Sequence, residues 1–462
     1  MEISFTSYGA AECVLGSKHL LQVDNYRMLL DVGLEYGDKI KPFAFDPKTI
    51  DSLFLSHGHV DHIGRVFDLV DAGFSGKIYC HPATKDFLGM QLNGEINTYA
   101  KNKKNNKQPK IQIAKTMDDI INRTISVHYG ENIKLTDYLH RTSIDAGHIV
   151  GSEQEIFTVL GDRQIKIGFS GDLGRRDNAT AIVKHPNELP KNLDFYILEG
   201  TYGAKRHNKS NIVDELSDWI EKAYLGGGKI IFPSFTLQRA QNLLAHLFEV
   251  YQQKRIPKEM KIFVDSPSIV KVNNFMLRHT YCFDPKARQQ FSNKNHNPFK
   301  FPGLYYTRDH AESQNLLNNN QSAIIVTSSG MCNGGRIENY LDDALKDSRN
   351  YLVLISYQAK GTIGEKLINN EKQIIHAKKI VDVNATIGNI HGFSSHSDCN
   401  ETITHLKNCK NPAKGEDFSG IFLVHGEKQS LIDLKQELNN VGYQNVVIAE
   451  PEKKYDLMGM LK

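Results

Sequence analysis

His57-Gly58-His59-Val60-Asp61-His62 places four metal-ligand side chains within six residues. The stretch follows Leu53-Phe54-Leu55, a short apolar run that reads as a buried strand, and precedes Gly64-Arg65-Val66-Phe67, which reads as the start of a helix. The ligands therefore project from a strand-to-helix loop, where α/β proteins commonly keep their chemistry. With 19 His in 462 residues, a chance His-x-His-x-Asp-His is expected in on the order of one in several hundred chains. A merely His-rich surface loop is the weaker reading, and the stretch predicts a metal site.

Other candidate ligands occupy equivalent positions far along the chain. His148 lies in Asp145-Ala146-Gly147-His148-Ile149, Asp172 in Phe169-Ser170-Gly171-Asp172-Leu173, and His425 in Leu423-Val424-His425-Gly426, each after an apolar run. A lone His is more often packed or at the surface, but shared strand-end placement raises the functional reading. Five His and two Asp exceed the three or four ligands of one tetrahedral zinc, so the set predicts two metals. Paired ions ~3.5–4 Å apart are a standard device for phosphodiester hydrolysis.

The length corresponds to two or three domains, with 40% hydrophobic and 24% charged residues. No apolar run approaches the ~18 residues of a membrane span. The opening Met1-Glu2-Ile3-Ser4-Phe5 lacks a secretory pattern. Cys13, Cys80, Cys282, Cys332, Cys399 and Cys409 form no Cys-x-x-Cys pair, so a cytoplasmic protein with reduced thiols and a His/Asp metal site is expected. The net charge of +3 conceals an asymmetry. Residues 205–380 carry 25 Lys+Arg against 16 Asp+Glu, and the remainder 31 against 37. A basic middle domain facing a polyanion fits this asymmetry about as well as ordinary solvated charge does.

Short strands with turns fill the first 200 residues, among them Ile3–Phe5, Leu20–Val23, Met28–Gly33, Ile165–Ser170 and Phe195–Leu198. Lys101–Lys110, nearly free of apolar residues, reads as an exposed mobile loop. From about 205 the rhythm changes. Ile212, Leu216, Ile220 and Ala223 keep helical spacing after a cap at Ser210, and Gly226-Gly227-Gly228 ends that helix. Ala240, Leu243, Leu244, Leu247, Phe248 and Tyr251 mark a second amphipathic helix. Strand-like Lys229–Phe235, Lys261–Asp265, Ala323–Thr327 and Tyr351–Ile355 alternate with helices, which predicts an inserted parallel sheet. The expected boundaries are 1–204, 205–380 and 381–462.

Taken in order, HGHVDH, Gly147-His148, Gly171-Asp172 and Val424-His425-Gly426 resemble the metallo-β-lactamase superfamily. Glu199 in Leu198-Glu199-Gly200-Thr201-Tyr202-Gly203, His396 in Phe393-Ser394-Ser395-His396-Ser397-Asp398, and His425 resemble the three motifs of its β-CASP branch. That branch includes the mRNA 3′-end processing endonuclease and bacterial relatives. The usual Glu-Ser-Thr-Tyr-Gly is here Glu-Gly-Thr-Tyr-Gly, a change beside the acid. The resemblance implies an α/β fold, an αββα metallo-β-lactamase sandwich with an inserted β-CASP domain. It implies two zinc ions, with His57, His59 and His148 on one, Asp61, His62 and His425 on the other, and Asp172 bridging. Asp61, Glu199 and His396 carry the chemistry, Glu199 orienting His396 as general acid or phosphate contact. In-line attack leaves 5′-phosphate and 3′-hydroxyl ends.

Three strand-to-helix junctions of the insert supply candidate phosphate contacts: Ser234 and Arg239; Ser329, Gly330 and Arg336; and Lys360. Ser394, beside His396, joins them. An arginine opening a helix, as Arg336 does, is also commonly a structural partner of a carboxylate. Small-molecule hydrolases of the superfamily lack such an insert, and non-catalytic paralogues have lost ligands that this chain keeps. His425 resembles the RNA-acting members, since DNA-acting relatives carry an aliphatic residue there. With no extension like that of the ribonuclease J group, an endonuclease on single-stranded RNA is expected first, with 5′-to-3′ exonuclease action as the alternative. No membrane partner is expected, and a homodimer or a processing complex is compatible with the sequence.

Overall fold

A computed structural model describes residues 1–35, 41–102, 110–176, 182–208 and 211–461. The chain forms two compact units, one of Met1–Arg176, His185–Arg206 and His396–Lys462, the other of Asp177–Lys184 and His207–Ser395.

Two seven-stranded sheets make the first unit. In spatial order the first contains Lys454–Asp456, Ile3–Gly9, Lys18–Val23, Tyr26–Leu30, Ser52–Leu55, Lys77–Cys80 and Thr124–Ser126. The second contains Val446–Ile448, Gly420–Val424, Phe195–Glu199, Ile165–Phe169, Glu153–Val159, Leu139–Asp145 and Ile133–Lys134. Strand alternation sends Leu21, Met28 and Phe54 into the core between the sheets, where they meet Phe157, Ile167, Ile197 and Phe422. Their sequence neighbours Leu20, Leu29, Leu53 and Leu55 point the other way, packing with Phe67, Leu88, Ile113 and Met117 of the helices. On the far face of the second sheet, Tyr196, Leu198, Ile421 and Leu423 pack with Leu406, Leu431 and Leu434. Strands such as Ser52–Leu55, Phe195–Glu199 and Gly420–Val424 are buried at every position because both faces are covered. The result is the expected αββα sandwich.

The second unit holds a six-stranded sheet in the order Leu304–Tyr306, Lys261–Asp265, Ala323–Thr327, Ile230–Pro233, Tyr351–Leu354, Thr386–Asn389. Every ladder in it is parallel, as the alternation of strands and helices predicts. Helix Ile212–Leu225 ends at Gly226, followed by Gly227 at φ 66°. Its cap is Asn211, one residue later than expected, with a side chain that accepts from the Val213 N–H. Asn serves there as well as Ser, and Ser210 lies outside the described residues. The loop expected over 101–110 begins in helix Pro82–Asn102 and ends in helix Lys110–Arg123, and 103–109 lie outside the described residues. Among the described residues, no helix is long and apolar enough to cross a membrane.

Candidate metal centre

Strand ends of both sheets of the first unit bring the candidate ligands together. Ser52–Leu55 delivers His57; His59 starts the single turn Val60–Ile63, which presents Asp61 and His62. Gly33 lets that turn approach, since a Cβ there would lie 1.6 Å from the Asp61 carbonyl oxygen. His148 stands in the connection between Leu139–Asp145 and Glu153–Val159, and Asp172 follows Ile165–Phe169. Gly174 packs the Asp172 loop onto the His148 loop, with a would-be Cβ 1.9 Å from the Gly147 oxygen. His425 follows Gly420–Val424 at φ 49°, an uncommon conformation for a non-glycine residue that often marks functional sites.

The donor atoms form two groups, His57, His59, His148 with Asp172, and Asp61, His62 with His425, each set within 4.8 Å of one another. Nε2 of His57 lies 3.1 Å from Nδ1 of His59, and Nε2 of His148 lies 3.3 Å from the same atom. Nε2 of His62 and Nε2 of His425 are 3.1 Å apart. Asp172 reaches both groups: Oδ2 lies 3.4 Å from His57 and 3.4 Å from His148, and Oδ1 lies 3.2 Å from His62.

Burial pulls His57 down to about 3 and His59 down to about 4, and holds His148 well below the usual histidine range. These imidazoles are neutral, the form that can ligate a metal. His62 runs the other way, because the carboxylates of Asp172 and Asp31 overcome its burial. Despite their own burial, Asp61 and Asp172 are held below the ordinary carboxylate range by His425 and His62. Asp172 Oδ1 is buried with no hydrogen-bond partner. That oxygen without a hydrogen-bond partner, together with the neutral nitrogens of His57 and His148 beside Oδ2, fits a cation.

Several residues behind the cluster receive no role from the motif reading. Asp31 Oδ2 lies 2.7 Å from His62 Nδ1, while Asp31 also accepts from the Ser56 amide at 2.7 Å and the Ser56 hydroxyl at 2.8 Å. Ser56 Oγ in turn lies 3.0 Å from His57 Nδ1. Thr201 donates its hydroxyl to the His425 carbonyl at 2.9 Å and stands 3.0 Å from His425 Nδ1. Such partners fix ligand tautomer and orientation. Asp31 had a sequence signal, being polar at the end of an apolar strand like the ligands themselves.

Glu199 ends strand Phe195–Glu199. Its Oε1 lies 2.9 Å from His396 Nδ1 and accepts from the Leu173 amide at 2.7 Å. Nε2 of His396 stands 4.0 Å from Asp172 Oδ2. Burial would lower the His396 pKa, but the Glu199 and Asp172 carboxylates outweigh it and raise it to about 9. Glu401 clamps this loop to the Asp172 loop. It accepts from the Arg176 amide at 2.6 Å and the Asp398 amide at 2.9 Å. Asp398-x-x-Glu401 is a capping box, the signal by which sequence could have found it.

The remaining candidates lie in the second unit. The three junctions follow adjacent strands of the parallel sheet and touch: a Cβ on Gly330 would come within 2.6 Å of Ser356 Oγ and 2.8 Å of the Phe235 amide nitrogen. Ser234 is buried with its hydroxyl on the Phe235 carbonyl. The Ser329 hydroxyl donates to Asn333 at 2.6 Å, and Arg239 donates to the Ile355 carbonyl at 2.6 Å. Arg336 is paired with buried Asp265, which also accepts from Thr307, Ser313 and Tyr340. Lys360 is exposed, and Ser394 ends the single turn His391–Phe393.

Comparison with known proteins agrees with this architecture. Residues 15–123 match the metallo-beta-lactamase superfamily, 240–367 the Beta-Casp domain, and 380–449 the Zn-dependent metallo-hydrolase RNA specificity domain. Ribonuclease TTHA0252 of Thermus thermophilus is 31% identical over 433 residues, covering 92% of this chain and 94% of that protein. Transcription termination factor FttA of Methanosarcina mazei is 27% identical over 448 residues, 94% of this chain and 68% of that protein. A protein of unknown function from Enterococcus faecalis V583 shares the fold, with a TM-score of 0.55 at 10% identity across 99% of this chain and 100% of that one. The chain belongs to the β-CASP ribonuclease branch of the metallo-β-lactamase superfamily.

Proposed function

We propose that the chain is a two-zinc endoribonuclease of the cytoplasm that hydrolyses single-stranded RNA to 5′-phosphate and 3′-hydroxyl ends. The observation that carries this reading is the His396–Glu199 pair at 2.9 Å beside a double ligand cluster. One zinc would be held by His57, His59 and His148, the other by Asp61, His62 and His425, with Asp172 between them. When bound, such a pair supplies Lewis acidity and charge neutralisation for in-line displacement at phosphorus. Asp31 and Thr201 orient His62 and His425 for that role.

Glu199 holds Nδ1 of His396 and favours the imidazolium, leaving Nε2 on the side of Asp172. As the bond from phosphorus to the 3′ oxygen breaks, His396 passes its Nε2 proton to the departing oxygen. The oxygen of the attacking water stays on phosphorus as the new 5′-phosphate. The basic segment 205–380 holds the RNA backbone, with Lys360 and the junction residues Ser329 and Gly330 as phosphate contacts and Ser394 nearer His396 in sequence. The six free cysteines suit a reducing compartment.

The test offers the pure protein circular RNA, and linear RNA with 5′-monophosphate or 5′-triphosphate ends. Cleavage of the circle is expected. An intact circle with digestion of 5′-monophosphate RNA would replace this reading by 5′-to-3′ exonuclease action, and inertness toward all RNA would remove both.

A further inference from the structure

Residues Ala10–Ser17 connect strands Ile3–Gly9 and Lys18–Val23, which pair antiparallel with Gly9 opposite Lys18. Three main-chain hydrogen bonds run from this loop to the segments that carry the second ligand group. The Ala10 carbonyl accepts from the His425 N–H at 2.7 Å, and the Cys13 carbonyl from the Gly426 N–H at 3.2 Å. The Ser17 N–H donates to the Asp61 carbonyl at 2.9 Å. The Ser17 carbonyl also accepts, at 2.8 Å, from Gly33, against which the Asp61–His62 turn packs. Val32 and Leu34 hold the same turn through the His62 and Val60 carbonyls, but the loop reaches His425 as well. It grips both segments, one near the start of the chain and one near its end.

A loop can set the spacing of two segments only if its own shape is fixed. Ala10 and Glu12 adopt left-handed backbone, at φ 51° and 58°, which non-glycine residues seldom hold without support from around them. The ring of His19 ties the two ends of the loop together. It is fully buried, with Nδ1 2.9 Å from Ser7 Oγ and Nε2 3.0 Å from Ser17 Oγ. The Ser7 hydroxyl gives its one proton to the Gly9 carbonyl at 3.0 Å, so it accepts from His19 Nδ1. Burial holds the ring well below the usual histidine range. It therefore carries a single proton, and its bare Nε2 accepts from the Ser17 hydroxyl. The bonds run from Ser17 through His19 and Ser7 to Gly9, with every donor and acceptor assigned.

We propose that His19 is a positioning residue, clasping loop 10–17 into the template that sets Asp61 and His425 at the separation the second zinc needs. The inference rests on the two-metal reading above. Asp61 Oδ2 and His425 Nε2 stand 3.6 Å apart, and both serve that zinc alone. A slack loop should loosen it and spare the zinc of His57, His59 and His148.

Zinc alone, titrated into metal-stripped full-length protein against a chromophoric chelator, resolves the two affinities without any assay of cleavage. Wild type should take two equivalents. His19→Ala, and Ser17→Ala as a variant that removes only one hydroxyl, should weaken the second equivalent by about tenfold and leave the first as in wild type. His19→Gln should recover most of the loss, because its amide can donate to Ser7 and accept from Ser17. Ile120→Ala, a core change in helix Lys110–Arg123, should lower the thermal midpoint and leave both zinc affinities unchanged. Wild-type affinity for both zincs in Ser17→Ala, equal weakening of both, no recovery by glutamine, or a second zinc weakened as much by Ile120→Ala would each overturn the proposal. Fewer than two equivalents in wild type would overturn the two-metal reading itself, and this proposal with it.

Discussion

Asp31 Oδ2 lies 2.7 Å from Nδ1 of His62, on the side of the ring away from the ligand cluster. That contact holds the Nδ1 proton against a carboxylate and turns Nε2 towards Asp172 and His425. Asp31→Ala should therefore weaken metal binding by roughly 10–100-fold, the usual cost of losing such a partner. Metal content after dialysis against graded chelator checks this, and a variant holding metal as tightly as wild type would refute the orienting role.

His396→Ala should retain its metals and bind RNA while cleavage falls roughly 10²–10⁴-fold, the range for loss of a general acid. Metal analysis beside single-turnover kinetics distinguishes this from a ligand, whose loss would release metal.

Glu199→Gln removes the main group that raises His396. An acid works only while protonated, so the alkaline limb of the pH–rate profile should move to lower pH in this variant. A limb that stays in place would assign the titration to another group.

Arg141 is fully buried in the first unit, donating to Glu153 at 2.9 Å and Glu155 at 2.8 Å. Burial and the neighbouring Glu153 raise Glu155 to about 7, against the pull of Arg141. Arg141→Met would strand both carboxylates and should cost about 3–5 kcal/mol. Without the guanidinium, the carboxylate pKa values of the folded state sit above their unfolded values. The variant should then lose further stability as pH rises from 5 to 8, measurable by urea denaturation.

Lys360 and Arg336 should behave oppositely. Lys360→Ala should weaken binding to all RNA sequences alike and reduce the log–log salt slope by about 0.7, one phosphate on a single strand. Arg336→Ala should instead lower stability, by about 3–5 kcal/mol, because it leaves Asp265 buried without its cation. Binding across a salt series, beside denaturation of each variant, separates the two.

The clustered residues were legible in sequence because each follows a strand, and strand ends of one sandwich converge. Even His62 and His425, 363 residues apart, share that mark. Partners defined by register were not legible. Asp265 meets Arg336 only because Lys261–Asp265 lies beside Ala323–Thr327 in parallel, a pairing no local pattern announces. Glu401 carried a local signal, but that signal reports a helix start and is silent about the Arg176 amide. Asn211 and Ser210 differ by one position because both are good caps, and backbone geometry decides between them.

Glu199 pairs in register with Val424, the residue before His425, so the centre draws on segments from both sides of the insert. Translation makes them in order. While 207–395 is being synthesised, the nascent chain has Asp172 and Glu199 but neither His396 nor His425, and strand Phe195–Glu199 has Ile165–Phe169 on one side but lacks Gly420–Val424 on the other. On the proposed chemistry, a half-made molecule cannot cut the message that encodes it, and the ability to cleave arrives only once the stretch through His425 has emerged and folded.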